Sequence, residues 1–319
     1  MKRKMPIFAA MAALLVLVTA SSQVILCASE GLRLCGELIV PSLFPFFVLS
    51  LLLAKLGFPI LLGRRLSPIT ERLFHVSGPG ASALFIGLTG GYPMGAAYIA
   101  ELLERGIIQV REAESLLAFC NNSGPAFLVG AIGAGVFGSV RAGVLLYLSH
   151  ALAALTAGIL LRPGEQPAAS AAAEETPPLP FSKAFSESVR AAVPALLSVC
   201  GFVILFTVFT GLLEANGFLD VLSRILFNAF TLDRSYSRAL LLGFWELGSG
   251  VGAMRGLPLT PAALALAAAL VGWGGVSVLF QSLAVLTDLP VKSRPLLLGR
   301  VLSACLGAGY AFGLGMLFL

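Results

Sequence analysis

Residues 87–133 read GLTGGYPMGAAYIAELLERGIIQVREAESLLAFCNNSGPAFLVGAIG. This stretch holds two apolar segments, which are interrupted at their middles by TGGYP (residues 89–93) and NNSGP (residues 121–125). Gly and Pro break a helix and leave backbone N–H and C=O groups that hydrocarbon cannot satisfy. Such backbone occurs at membrane depth only where protein or a water-filled cavity surrounds it. A pair of broken segments therefore predicts a binding site between discontinuous helices.

The composition is that of a protein with many membrane-spanning segments. Apolar residues make up 58% of the chain, charged residues make up 12%, and the mean hydropathy is +0.94. Soluble domains are about 45–50% apolar and about 25% charged, so we predict an all-α polytopic membrane protein. The chain has 319 residues, which leaves room for roughly eight to ten segments of about 20 residues. The lipid bilayer is therefore the expected partner.

The charge pattern argues against a nucleic-acid partner. The net charge is +5, from 21 Lys and Arg against 16 Asp and Glu, and no basic stripe is interleaved with aromatic residues. A modest excess of Lys and Arg is typical of the loops of a membrane protein. We therefore expect no binding to nucleic acid.

Cysteine and histidine are too sparse to indicate a metal centre. The chain has five cysteines without a CxxC spacing, and its two histidines are His75 and His150. Cys27 and Cys35 could pair on an oxidising side of the membrane, or they could pack as small apolar side chains. We expect no metal site, no cofactor and no metalloenzyme.

The chain divides into four parts. Residues 1–30 begin with MKRK and an apolar run, which predicts a retained signal anchor helix; the alternative is a cleaved signal, but no small-x-small site closes the run clearly. Residues 162–182 (RPGEQPAASAAAEETPPLPFS) are rich in Pro, Ala and Glu, which is typical of a linker. The linker separates a first membrane unit, residues 31–161, from a second unit, residues 183–319.

The two membrane units match each other at four places. VPSL at residues 40–43 matches VPAL at residues 193–196, and LGF at residues 56–58 matches NGF at residues 216–218. The breaks around residues 91 and 123 fall on residues 243–247 and 273–275, and all four offsets lie between about 150 and 160 residues. Ordered matches at a nearly constant offset predict an internal repeat, as in transporter folds. The span count predicts inverted repeats, whereas an error of one span would make them parallel.

Polar and small residues inside the breaks are the candidate binding residues. Amide, hydroxyl and backbone groups at an opened helix suit a polar solute or a Na⁺ ion, although they could also cap the broken helix. Glu246 lies in an apolar run, where an acid indicates a cation or proton site unless it marks the end of a shorter helix. We predict that the substrate-binding residues are Thr89, Gly90, Gly91, Tyr92, Asn121, Asn122, Ser123, Glu246, Ser249, Ser277 and Gln281.

Three stretches resemble the YlbJ family of sporulation integral membrane proteins: GLTGGYPMGA (87–96), LLAFCNNSGPAFLVGAIGAGVFGS (116–139) and FWELGSGV (244–251). The resemblance extends from about residue 31 to the C-terminus, and FCNNSGP is its most specific part. It implies a nucleoside-recognition or Gate domain, with re-entrant hairpins that face a central substrate site. It also implies a role in spore cortex formation, in a membrane of the sporulating cell. No residue matches the nucleoside-contacting pattern closely enough to imply a nucleoside as the substrate.

Three functions fit the sequence. The leading hypothesis is a secondary transporter that holds a polar small-molecule solute between the two repeats, with Na⁺ or H⁺ as a coupling ion. The second is an intramembrane protease in which His150 would activate Ser249, although we expect no enzymatic activity. The third is a structural or assembly protein of a spore membrane complex. The solute, the coupling ion and the formation of a homo-oligomer stay open.

Overall fold

The computed structural model describes residues 5–164, 178–230 and 233–319, and within these ranges it contains helices and no strand. Two of the helical segments are π-helical and are named π1 and π2. Most of the predicted linker, residues 162–182, lies outside the described residues. In chain order the helices are α1 (Met5–Thr19), α2 (Ser21–Leu34), π1 (Cys35–Ile39), α3 (Val40–Lys55), α4 (Phe58–Phe74), α5 (Gly78–Gly90), α6 (Met94–Glu104), α7 (Val110–Phe119), π2 (Ala126–Val136), α8 (Val140–Leu160), α9 (Phe181–Ala215), α10 (Phe218–Phe230), α11 (Arg234–Trp245), α12 (Leu247–Gly252), α13 (Pro261–Trp273), α14 (Gly275–Ala284) and α15 (Ser293–Phe318).

Five helical segments in the described part of the chain are long and apolar enough to cross a membrane. This number is smaller than the roughly eight to ten segments that the chain length allows, because two apolar stretches fold back and a third is divided by a gap. The chain is an all-α polytopic membrane protein, as its composition predicts. The five segments are Ser21–Lys55, Val140–Leu160, Phe181–Ala215, Pro261–Ala284 and Ser293–Phe318.

The first long span begins earlier than the sequence predicts. Helices α2, π1 and α3 follow one another without a gap from Ser21 to Lys55, so residues 21–30 are part of this span. Cys27 and Cys35 lie on it about 12 Å apart along the helix axis, which is too far for a disulfide. Both thiols are free and buried. They pack as small apolar side chains, which is the second of the two alternatives.

Two pairs of short helices fold back on themselves. Hairpin 1 consists of α5 and α6, which pack against each other and meet at a tip formed by residues 91–93. Hairpin 2 consists of α11 and α12, which pack against each other around a tip at Glu246. At the tip of hairpin 1, Gly91 has a φ of +83°, a conformation that glycine adopts without steric cost.

Two other segments are interrupted but continue onward. Broken span 1 consists of α7 and π2, which are separated by a gap at residues 120–125. Broken span 2 consists of α13 and α14, which are separated at Gly274. In neither case do the two halves pack along each other, in contrast to the hairpins. Each membrane unit therefore contains a hairpin, then a broken span, then an unbroken span, which is α8 in the first unit and α15 in the second.

Contacts define one end of the bundle, which we name the linker end. The carbonyl oxygen of Lys55, the last residue of α3, accepts a hydrogen bond from the N–H of Leu179 at 3.1 Å. The N–H of Ser77, which caps α5, donates to Oε1 of Glu112 in the first turn of α7 at 2.7 Å. Nδ1 of His75, two residues before Ser77, lies 2.7 Å from the carbonyl oxygen of Pro163 at the start of the linker. Hairpin 1 therefore begins and ends at the linker end.

The opposite end of the bundle, named the far end, holds the feet of hairpin 2. Helix α9 runs from the linker end to Glu214, and this carboxylate pairs with Arg238 of α11 at 2.7 Å. A Cβ on Gly315, near the end of α15, would lie 3.0 Å from Cα of Pro261, the first residue of α13. Hairpins 1 and 2 thus enter the bundle from opposite ends.

Helix α15 packs against α7, α8 and α13, and it holds the two broken spans together. The approach is close because two positions lack a side chain. A Cβ on Gly299 of α15 would lie 1.8 Å from the carbonyl oxygen of Ala118 in α7. A Cβ on Gly272 of α13 would lie 2.5 Å from the backbone nitrogen of Ala304 in α15. This packing places the residue after Gly299, Arg300, beside the break in broken span 2.

Candidate functional site

The four interruptions lie against one another in the middle of the bundle. A Cβ on Gly91, at the tip of hairpin 1, would lie 3.0 Å from the nitrogen of Gly124 in the gap of broken span 1. In the second unit, a Cβ on Gly275 of broken span 2 would lie 3.0 Å from the nitrogen of Leu247 in hairpin 2. Each hairpin tip therefore touches the break of the following span.

A cavity of about 40 Å³ lies where the breaks meet. Residues of both hairpins, both broken spans, α3 and α9 line it. Pockets for drug-sized ligands are about 300–1,000 Å³, whereas this volume suits a few water molecules or a single ion. In this structure the cavity is therefore too small for a drug-sized solute. Five of the predicted binding residues line the cavity: Gly91, Tyr92, Ser123, Glu246 and Gln281.

Glu246 forms the tip of hairpin 2. Among the described residues that line the cavity, it is the only acidic one. Its backbone is extended (φ −139°, ψ 117°), and its side chain caps α12. Oε1 accepts from the N–H of Gly248 at 2.9 Å and Oε2 accepts from the N–H of Ser249 at 2.5 Å. The residue is 2% exposed, and no described Lys, Arg or His forms an ion pair with it. A buried carboxylate with spare lone pairs suits a proton or a small cation.

Two further cavity residues are positioned by hydrogen bonds across the breaks. The hydroxyl of Tyr92 donates to the carbonyl oxygen of Val271 at 3.2 Å, which joins hairpin 1 to broken span 2. Nε2 of Gln281 donates to Oγ of Ser277 at 3.3 Å, one turn earlier on α14. Ser277 itself is fully buried and is absent from the cavity lining. Its role in the structure is to orient Gln281.

The fourth polar position on the cavity wall is Ser123. Its backbone N–H donates to Nε2 of His150 on α8 at 3.0 Å. Because Nε2 accepts this bond, it carries no proton, and the ring is neutral in this arrangement. His150 lines neither the central cavity nor the larger cavity in which Ser249 lies. Among the described residues, no hydrogen bond joins His150 to Ser249, the pair on which the protease hypothesis depends.

Three predicted binding residues do not line the cavity. Oγ1 of Thr89 donates to the carbonyl oxygen of Phe85 at 2.8 Å, one turn earlier in α5. Nδ2 of Asn122 donates to the carbonyl oxygen of Phe119 at 2.7 Å, so it caps the end of α7. Gly90 is buried, and a Cβ there would lie 3.3 Å from Oγ of Ser50 on α3. Thr89 and Asn122 thus bond within their own segments, and Gly90 packs against α3.

Asn121 bridges the two units instead of facing the cavity. Its Oδ1 accepts from the N–H of Ala96 in α6 at 3.3 Å, and its Nδ2 donates to Oγ of Ser282 in α14 at 2.8 Å. Ser282 also donates to the carbonyl oxygen of Val278 at 2.9 Å and accepts from Arg300 at 3.0 Å. The hydroxyl thus uses its one donor and both lone pairs. Asn121 therefore connects hairpin 1 to broken span 2.

Arg300 and Ser282 also belong to this polar core, and neither is among the binding residues predicted from the sequence. The guanidinium carbon of Arg300 lies 5.0 Å from the centre of the Tyr92 ring, within the range of a cation–π contact. Tyr92 therefore separates Arg300 from the cavity. A signal was present in the sequence, because Arg300 is an ionisable residue within the apolar segment that becomes α15.

A larger, open cavity of about 340 Å³ lies at the far end, and we name it the vestibule. Gly248 lines both the vestibule and the central cavity, so hairpin 2 forms the partition between them. Ser249, predicted as a binding residue, faces the vestibule only. Three ion pairs at the mouth of the vestibule, Arg33–Glu30, Arg33–Glu37 and Arg238–Glu214, are exposed to solvent. They therefore contribute little to the stability of the protein. The charged lining residues are Glu30, Arg33, Glu37, Glu214, Arg238 and Arg255.

The donor set of the site suits polar recognition more than metal chemistry. Among the described residues, no three His, Cys, Asp or Glu side chains lie together as metal ligands. The cavity instead offers one carboxylate, one phenol ring and one amide, with backbone groups at the hairpin tips. Such groups bind a polar solute or a monovalent cation.

Comparison with known proteins supplies one relative. Over 306 residues, the chain is 32% identical to the sporulation integral membrane protein YlbJ of Bacillus subtilis (strain 168). The aligned region covers 88% of this chain and 75% of the relative. No family model matches the sequence, and no solved structure matches it.

Proposed function

This chain belongs to the YlbJ family of sporulation integral membrane proteins, and we propose that it is a carrier that moves a polar solute across a membrane of the sporulating cell. The solute would bind in an opened form of the central cavity. One observation carries the proposal: the tips of two hairpins and the breaks of two spans surround a single cavity with a buried acid.

Two inverted repeats would account for the arrangement of the hairpins. Hairpin 1 begins at the linker end, beside Glu112, and hairpin 2 begins at the far end, beside Glu214. The order of hairpin, broken span and unbroken span is the same in both units. In transporters of this kind, the substrate site lies at the interface of the repeats, and access alternates between the two sides.

The distribution of basic residues orients the carrier in the membrane. Arg64, Arg65 and Arg72 lie on α4. A Cβ on Gly57, just before α4, would lie 3.1 Å from the side chain of Pro178, and the helix ends at His75 beside Pro163, so both ends of α4 are at the linker end. Loops rich in Lys and Arg face the cytoplasm. We therefore place the linker end in the cytoplasm and the vestibule on the other side, in a conformation that is open toward the vestibule and closed at the central site.

Movement of hairpin 2 would open the site. The backbone around Gly248 is the partition between vestibule and cavity, and the adjoining Glu246 carboxylate holds α12 through two N–H groups. Binding of a proton or cation to Glu246 would weaken or redirect these hydrogen bonds, since they are strongest to a free carboxylate. The coupling ion and the position of the hairpin would then depend on each other. No step in this cycle requires enzymatic chemistry.

A matched pair of Glu to Gln variants tests the proposal without knowledge of the solute. Glu246 and Glu112 are 2% and 4% exposed, and both accept backbone N–H groups. Only Glu246 lines the cavity. In a sporulating host that lacks its own copy, Glu246→Gln is expected to lose heat-resistant spores at normal membrane levels, whereas Glu112→Gln is expected to retain them.

A structural or assembly role is the second candidate, and it predicts a different result. The exposed apolar surface of helices such as α1 would serve a partner as well as it serves lipid. In that case both variants would support spore formation, provided that the protein inserts.

If the carrier proposal holds, uptake of labelled nucleosides and cell-wall precursors by liposomes that contain the protein would identify its solute. A role in spore cortex formation is part of the same proposal and would appear as spores with a thin or absent cortex.

A further inference from the structure

Arg300 is a buried cation within a membrane-spanning helix, and its partners carry no negative charge. The residue is 3% exposed. Each hydrogen bond that its guanidinium donates, among those found in the described ranges, goes to a carbonyl or hydroxyl oxygen. A charged side chain at such a position is costly in a bilayer, so the surrounding groups must stabilise it.

The stabilising groups are three oxygens of broken span 2, one at the end of α13 and two inside α14. Nη1 donates to the carbonyl oxygen of Trp273 at 3.0 Å, and Nη2 donates to the carbonyl oxygen of Val278 at 3.3 Å and to Oγ of Ser282 at 3.0 Å. Trp273 is the last residue of α13. Its carbonyl therefore lies at the negative end of a half-helix, where cations are favoured.

The carbonyl of Trp273 is of the kind that binds a free monovalent cation in other membrane proteins. Carbonyl oxygens of unwound backbone and the C-terminal ends of half-helices coordinate Na⁺ in transporters with broken helices. The face of the Tyr92 ring, 5.0 Å from the guanidinium carbon, adds a further attraction for positive charge. The site thus has the chemistry of a cation site, and a side chain occupies it.

At the corresponding position in the first unit, the side chain accepts a hydrogen bond from the break instead of donating one to it. His150 lies on α8, which follows broken span 1 as α15 follows broken span 2. It accepts a hydrogen bond from the N–H of Ser123 in the gap of that span. A neutral acceptor therefore satisfies the break of the first unit, whereas the break of the second unit presents oxygens to a cation. Only the second break has the donor set of a cation site.

We propose that the guanidinium of Arg300 is a built-in cation that occupies a monovalent-cation site at broken span 2. The native protein then binds no free Na⁺ at this position. Removal of the guanidinium exposes the oxygens of Trp273, Val278 and Ser282, and Na⁺ takes its place. The inference does not depend on the carrier proposal, because cation binding is measured without a solute.

The test measures thermal unfolding of the purified full chain in detergent, in NaCl and in choline chloride at equal ionic strength. The Tm shift of wild-type protein between the two salts is the baseline, and it includes any effect of Na⁺ at Glu246. Arg300→Ala is expected to unfold at lower temperature than wild type in choline chloride, and Na⁺ is expected to raise its Tm saturably by more than this baseline. Arg300→Lys keeps a positive charge and is expected to show only the baseline shift.

A double variant assigns the effect to this site. Arg300→Ala combined with Ser282→Ala lacks the hydroxyl ligand, and its Na⁺-dependent rise in Tm is expected to be smaller or absent. If Arg300→Ala does not accumulate, Arg300→Gln removes the charge while it keeps an amide donor, and the same gain is expected. The inference is overturned if neither neutral variant gains a response to Na⁺, or if the gain is unchanged by Ser282→Ala. Neither result would bear on the solute site at Glu246.

Discussion

The close packing of hairpin 1 on broken span 1 predicts that Gly87→Ala destabilises the protein. Gly87 lies on α5, and a Cβ at this position would be 1.7 Å from the carbonyl oxygen of Cys120 and 2.8 Å from the carbonyl carbon. Both atoms are backbone atoms in the gap of broken span 1, so they cannot move away as a flexible side chain could. A Cβ on Gly95 of α6 would meet the same oxygen at 2.2 Å.

The expected cost follows from these distances. An ordinary contact between carbon and oxygen is about 3.3 Å, so the hairpin must move by roughly 1.5 Å to admit the methyl group. Overpacking of this kind costs typically about 1–3 kcal/mol and sometimes more. Alanine is favoured over glycine inside a helix by about 1 kcal/mol, which offsets part of that cost. Because the obstructing atoms are backbone atoms, we take the upper end of this range, about 3 kcal/mol, and expect a net loss of about 2 kcal/mol.

Gly201→Ala is the matched control, because Gly201 also lies inside a helix. It is exposed on α9, and a Cβ there would meet no atom within 4 Å. Thermal unfolding of the purified variants in detergent should therefore show a lower Tm for Gly87→Ala and an equal or higher Tm for Gly201→Ala. Equal unfolding temperatures for the two variants would refute the proposed approach of hairpin 1 to Cys120.

Three other substitutions are expected to act through single contacts. Gly91→Ala places a side chain at φ +83°, a conformation that costs about 1–3 kcal/mol; it should lower the Tm and reduce spore formation, and an unchanged Tm would contradict the tip geometry. His150→Phe leaves the buried N–H of Ser123 without its acceptor, at about 1–3 kcal/mol; a Tm equal to that of the wild type would show that this bond is absent. Asn121→Ala removes two hydrogen bonds between hairpin 1 and α14; we expect a loss of stability, measured by thermal unfolding, and this prediction fails if only solute uptake changes.

The positions of the breaks could be predicted because glycine and proline determine them locally. GGYP, NNSGP and GWGG each interrupt an apolar run, and the structure ends a helix at Gly90, at Phe119 and at Trp273. The remaining break, at the tip of hairpin 2, has no proline, yet Glu246 marks it because a carboxylate in an apolar run is unfavourable unless it caps a helix end. The Glu101–Arg105 ion pair could also be predicted locally, because residues four apart lie on the same face of a helix. The structure places its two charged groups 3.3 Å apart.

The direction of each side chain could not be predicted, because it depends on which helices pack against the break. Asn121 and Asn122 are adjacent and identical in type, but one bonds across the two units and the other caps α7. The role of Arg300 depends on the contact of α15 with broken span 2, which brings together residues far apart in sequence. The cavity residue Gln281 and the buried Ser277 are separated only by one turn of α14.

The number of spans was difficult to predict for a similar reason. Hydropathy identifies apolar stretches, but it does not distinguish a stretch that crosses the membrane from one that folds back. Packing of α5 against α6 and of α11 against α12 makes these stretches hairpins. At the N-terminus, the continuous helix from Ser21 to Lys55 contains no break between residues 21 and 34, so the boundary of the predicted anchor had no local signal.

Side-specific labelling tests the central claim that the two hairpins enter the membrane from opposite sides. Glu104, at the end of hairpin 1, and Arg255, just after hairpin 2, are both exposed, so each can be replaced by a single cysteine in a chain whose native cysteines have been substituted. An impermeant maleimide applied to intact cells is expected to label Arg255→Cys, whereas Glu104→Cys should react only after the membrane is opened. Labelling of both positions from the same side would contradict the inverted arrangement and, with it, the shared site between the two units.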